Sequence, residues 1–161
     1  MSNELPRQPL SRGARVLGHP VHPALTDFPV ALWTVSILWD IIGIVHGDPI
    51  WGQMAVWCIA VGLLAAVPTV VTGLLDYAAI PQGHPALTTA LWHMIAVLLA
   101  ACAFAAGLFL RGLPGQPAHA PVGVTLGLSL FGLICLGLGG WLGGHLVFHF
   151  EIGQVEDVHG Q

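Results

Sequence analysis

Two short stretches place histidine beside proline just ahead of long apolar runs: GHPVHPALTDFPVALW at 18–33 and GHPALTTALW at 83–92. Further histidines stand at His93 and at His145 and His149, the last two four residues apart and so on one helix face. Imidazole ligates iron, and helical bundles build cofactor sites from side chains on facing helices. The best use of two inward histidines is therefore axial ligation of one b-type haem. His93 and His145 form the expected pair and are also the candidate metal ligands, with His22 as the substitute for either. Gly140, Gly143 and Gly144 would leave space for the ring, Arg12 and Arg15 could meet its propionates, and Asp76 could orient an imidazole by a hydrogen bond. A second haem would need His46 and His119, a poor pair, so one haem is the most the sequence allows.

The same residues admit other uses. Side chains near helix ends reach the headgroups, so Asp76, His84 and His149 would serve equally as interfacial anchors. Gly139–Gly143 and Gly140–Gly144 are small-xxx-small pairs that allow close helix packing in lipid. On that reading the chain is a cofactor-free membrane anchor or interaction subunit, possible as a homodimer. A third reading is a proton or metal carrier built on Asp40, Asp76 and His93, because an ionisable side chain within a span is a pointer to function. An ionised Asp40 near mid-bilayer would cost roughly 2.5–3.5 kcal/mol and calls for a partner, water or a proton. No H-E-x-x-H, G-x-S-x-G or phosphate loop is present, so a hydrolytic enzyme is unsupported and electron transfer is the nearest approach to catalysis.

The elements that must position these residues follow from composition. Of 161 residues 55% are hydrophobic and only 7% charged, against about 25% charged in a soluble domain. Runs 50–75, 86–110 and 121–150 lack Asp, Glu, Lys and Arg altogether, and 28–45 is interrupted only by Asp40. About 20 apolar residues cross a bilayer, so the chain is expected to be an all-α, integral membrane four-helix bundle. Helices are expected over about 24–46, 51–79, 86–110 and 122–148, with Gly and Pro at every boundary. The organisation is an N-terminal tail (1–22), a four-helix domain (23–150) and an acidic tail (151–161).

Arg7, Arg12 and Arg15 lie ahead of the first span without a signal-peptide pattern, and Arg111 is placed in the loop after the third. The positive-inside rule then puts both termini in the cytoplasm of a bacterial cell. In that orientation His19, His22, Asp27, Asp76, His84, His93, His145 and His149 share the inner face, while Asp40, His46, Asp48 and His119 fall toward the outer one. There is no basic stripe for nucleic acid. Cys58, Cys102 and Cys135 fall mid-span without metal-ligand spacing and read as small packing residues.

HPALT recurs at 22–26 and 84–88, and ALW at 31–33 and 90–92. Both copies precede spans that start on the same side, which suggests two tandem helical hairpins related by an axis along the membrane normal.

The stretches GHPVHPALTDFPVALWTVSILWDIIG, GLLDYAAI, LWHM and GGWLGGHLVFHF together resemble the bacterial membrane family known as domain of unknown function 2231, over about residues 18 to 150. Some members of that family continue into a Rieske iron–sulfur domain. The resemblance therefore implies an inner-membrane protein and a Rieske or other redox protein as partner. Here no C-x-H or C-x-x-H follows the fourth span, so the chain as given carries no Rieske centre.

Overall fold

The computed structural model describes residues 13–17, 19–112 and 119–152. Four helices account for nearly all of them: α1 (Val21–His46), α2 (Pro49–Ala78), α3 (Ala86–Arg111) and α4 (Val122–Phe148). A minimal antiparallel ribbon, β1 (Arg15–Val16) with β2 (His19–Pro20), leads into α1. The helices have 26, 30, 26 and 27 residues, and all four are apolar and long enough to cross a membrane. At ~1.5 Å per residue each exceeds a hydrocarbon core of ~30 Å. Large apolar side chains such as Leu38, Trp57, Leu64, Leu99, Ile134 and Trp141 stand exposed on the outside of the bundle, as a lipid solvent requires. The chain is the expected all-α four-helix membrane bundle.

Local chemistry explains the boundaries. Gly47 takes a left-handed φ of 74° and ends α1, its N–H bonding to the Gly43 carbonyl. The Asp48 carboxylate accepts the Ile50 N–H at 2.9 Å, with Pro49 in the first turn of α2. His84 plays a similar part for α3, its Nδ1 accepting the Ala86 N–H at 3.1 Å. Pro29 lies inside α1 and removes the N–H that would serve the Leu25 carbonyl. Thr69 Oγ1 of α2 shares its one proton between that carbonyl at 3.2 Å and the Ala65 carbonyl of its own helix at 2.8 Å, so the vacancy in one helix is partly met by the other.

α1 packs along α2 and α3 along α4, whereas the two hairpins touch each other much less extensively. They meet chiefly through α2 with α3 and α1 with α4, and three pairs of side chains bridge α1 and α3 between them. Toward the N-terminal face His22 meets His93, with ring centroids 6.4 Å apart. In the middle Trp33 stacks on Phe104 at 4.7 Å. Toward the opposite face Asp40 pairs with Arg111. In every pair the second residue lies 71 positions after the first. The same relation, one residue shorter, connects α2 with α4. Gly62 gives way to Trp33 and Gly132 to Phe104, while Gly73 lies against His22 and Gly143 against His93. Residues that meet their own counterparts define an approximate twofold axis parallel to the helices and passing between α1 and α3.

Two expectations change here. The repeat in letters would make His84 the counterpart of His22, but the packing makes it His93; the HPALT copies mark helix starts, not equivalent depths. Arg111 is not a loop residue. It closes the last turn of α3 and is 9% exposed, because its guanidinium turns inward to Asp40 and to Ser129 Oγ at 3.2 Å.

Candidate functional site

α1 and α3 start on the same face, and each carries one histidine close enough to its start to meet the other across the axis. His22 sits in the first turn of α1, where β1 and β2 bring the chain in. Its ring lies against Gly73 of α2, and its Nδ1–H donates to the Thr69 carbonyl at 2.9 Å, with Thr72 Oγ1 at 3.3 Å. His93 sits two turns into α3. Its ring lies against Gly143 of α4, and its Nδ1–H donates to the Gly139 carbonyl at 2.8 Å. The two environments are copies under the twofold: glycine to admit the ring, and a helix carbonyl to take its proton. A carbonyl can only accept, so Nδ1 carries a proton in both imidazoles, and in the neutral ring the lone pair is then on Nε2. The planes are inclined at 85°. Two imidazoles oriented in this way by backbone carbonyls meet each other across the axis. Among the described residues no group of three or more His, Cys, Asp or Glu is placed to hold a metal ion.

The β1–β2 ribbon is tied down beside the pair. The Asp76 carboxylate, one turn beyond Gly73, accepts the Ala14 N–H at 2.7 Å, and Val21 N–H bonds to the Ala14 carbonyl at 3.1 Å. A methyl group on Gly13 would sit 2.1 Å from Asp76 Oδ1, so only glycine allows that approach.

The expected residues therefore separate. The structure brings His93 against His22 instead of His145. His145 is exposed on the far side of α4 and stacks on His149 with centroids 4.6 Å apart. The reason is helical phase: Gly139 and Gly143, one turn apart, face α3, against Val97 and His93 respectively, and a residue two positions further on points away. Asp76 contacts the N-terminal backbone in place of an imidazole. Gly140 faces open space, and beside Gly144 only Phe148 comes within 4 Å, so Gly143 alone of the three glycines borders a histidine of the pair. Arg15 lies exposed in β1; Arg12, the 113–118 loop and the acidic tail beyond 152 lie outside the described residues. Cys58, Cys102 and Cys135 are free thiols.

Sequence reasoning missed Thr69, Gly73 and Gly139, whose contribution is a carbonyl or the lack of a side chain and leaves no signature. It also missed the Asp40–Arg111 pair. The lone arginine bordering an apolar run was a usable signal, since an aspartate within another span needs a partner.

A bundle of four apolar, lipid-facing helices with a histidine pair inside defines a multi-pass membrane protein. The chain belongs to the family described as "Predicted membrane protein (DUF2231)", whose model matches residues 18–156 and so takes in all four helices. No curated protein and no solved structure matches the chain.

Proposed function

We propose that this protein is a membrane electron-transfer component in which His22 and His93 would hold the iron of one b-type haem. The observation that carries the reading is the symmetric pair itself: two imidazoles on facing helices, each with Nδ1–H on a helix carbonyl and Nε2 left as a donor. That chemistry fits haem iron, which supplies a one-electron couple when bound. The protein's own share is orientation and exclusion of water. Thr69 and Gly139 hold the rings, Gly73 and Gly143 admit them, and the Trp33–Phe104 stack closes the axis below. The opposite end of the axis bears Asp40 and Arg111, which supply no iron ligand, so a single centre is the reading. Asp40 already has a cationic partner, which weighs against its use as a carrier group.

The pair lies toward the face where α1 and α3 begin, and a redox partner, a Rieske protein among the candidates, would exchange electrons there. The arginines ahead of α1 support placing that face in the cytoplasm of a bacterial inner membrane. The test is an oxidised and dithionite-reduced absorption spectrum of detergent-purified protein from cells supplied with haem precursor. Sharp reduced α and β bands that vanish in His22→Ala and in His93→Ala, but persist in His145→Ala, are expected. A flat visible spectrum in the wild type would overturn the proposal and leave the cofactor-free anchor as the better account.

A further inference from the structure

The end of the bundle opposite the His22–His93 pair holds a cavity of about 250 Å³ between the last turns of α1 and the first turns of α2 and α4. Asp40 and Asp48 are the charged residues that line it, Ile44 and Val122 give it apolar walls, and Gly43 and Gly52 leave it open by having no side chains. Asp40 is 4% exposed, yet among the described residues its carboxylate is bonded only at Oδ2, by Arg111, and Oδ1 is left over. Asp48 likewise uses Oδ1 to accept the Ile50 N–H and keeps Oδ2. Two carboxylate oxygens therefore border one cavity, and among the described residues no cationic side chain lines it. The start of α4 adds the opposite polarity. Pro121 gives this helix no side-chain cap, so the N–H groups of Val122 and Gly123 form the positive pole of 27 aligned residues. A Cβ on Gly123 would meet no atom within 4 Å.

We propose that this cavity binds the headgroup of an aminophospholipid, with its primary ammonium on Asp40 and Asp48 and its phosphate at the start of α4. Helix N-termini are ready-made phosphate sites, and the two carboxylates complement the ammonium. Lipid headgroups lie at the level where spans end, and Ile44 and Val122 are both half-exposed on the outside of the bundle, so the cavity opens toward lipid. Its volume falls below the roughly 300–1,000 Å³ of sites that enclose a whole small-molecule ligand, which suits a headgroup whose acyl chains stay in the bilayer. Among the described residues the lining has no aromatic ring, so a trimethylammonium group finds no cage there. A primary ammonium instead offers three N–H donors to the carboxylate oxygens.

The site shares no residue with the His22–His93 pair, so it stands or falls independently of the haem reading. The experiment is native mass spectrometry of the full-length protein in detergent with equal amounts of phosphatidylethanolamine and phosphatidylcholine of the same acyl chains. One bound phosphatidylethanolamine is expected, preferred by about tenfold, the effect of one charge-assisted hydrogen bond. Asp48→Asn removes the charge and keeps the cap of α2, because asparagine caps as well as aspartate. Gly52→Leu fills the cavity from a position where a Cβ meets no neighbour. The preference should fall to parity in both variants and stay unchanged in Gly137→Leu, which lies on the exposed side of α4 away from the cavity. Parity in the wild type, or a preference that survives in Asp48→Asn or in Gly52→Leu, would overturn the site. Displacement of the lipid by an equal concentration of free ethanolamine would make the ligand a soluble amine, and equal binding of phosphatidylglycerol would leave the phosphate contact alone; either result overturns the assignment.

Discussion

Within the histidine pair the decisive atoms belong to neighbours that contribute no functional group. A methyl built on Gly73 would lie 2.8 Å from His22 Cε1, and one on Gly143 3.2 Å from His93 Cε1. The first separation is closer than any carbon contact tolerates, and the second asks for a few tenths of an ångström. Loss of an orienting contact around a metal ligand typically reduces affinity 10–100-fold. Gly73→Ala is therefore expected to lower haem content per polypeptide by about tenfold or more, Gly143→Ala distinctly less, and Gly140→Ala, which meets open space, not at all. Haem quantitation of the three purified variants checks the order, and equal occupancy in Gly73→Ala and Gly140→Ala would contradict it. Histidine as the residue that matters was legible in the sequence, because ionisable groups are rare in these spans. Which histidine faces which was not, because that depends on helical phase to within one residue.

Between helices, polar groups do what apolar surface cannot do in lipid, which is to specify who meets whom. Asp40, Arg111 and Ser129 join α1, α3 and α4, and the Ser129 hydroxyl donates to the Thr125 carbonyl at 3.1 Å. One guanidinium nitrogen, Nη1, is buried without a hydrogen-bond partner among the described residues and packs beside Gly107. Removing one member of a buried ion pair costs about 3–5 kcal/mol, while replacing both by apolar residues can be neutral. Arg111→Met alone should thus lower the thermal midpoint in detergent sharply, and Asp40→Leu with Arg111→Met should recover most of the loss. A double variant as unstable as the single one would show that the arginine acts through packing instead. Thr69 offers a smaller test of the same kind. Thr69→Val should destabilise by roughly 0.6–1 kcal/mol by leaving the Leu25 carbonyl unserved. In a Pro29→Ala background that carbonyl regains its own helix N–H, so the cost of Thr69→Val should shrink, a coupling that a double-mutant cycle measures.

At the level of the whole molecule the protein behaves as two hairpins that each bring half of every axial contact. Composition made the four spans legible, and proline and glycine made their ends legible. The internal symmetry was legible only as an idea. Identical letters fall at the helix starts, where proline is useful in any helix, whereas the true counterparts are Trp33 with Phe104 and Asp40 with Arg111, unlike in type and invisible to letter matching. Only His22 with His93, Leu63 with Leu133 and the glycine pairs repeat as residues. This organisation has a direct consequence. A chain divided in the exposed Gln82–Gly83 turn separates α1–α2 from α3–α4 without breaking either hairpin's internal packing. The two halves, expressed together, are expected to insert, co-purify and show the haem spectrum, and neither half alone should show it, since one supplies His22 and the other His93. Arg111→Met in the second half should weaken co-purification, because the ion pair is one of three contacts across the axis. Halves that each fold in detergent but never associate would mean that the connecting turn, and not the axial pairs, holds the bundle together.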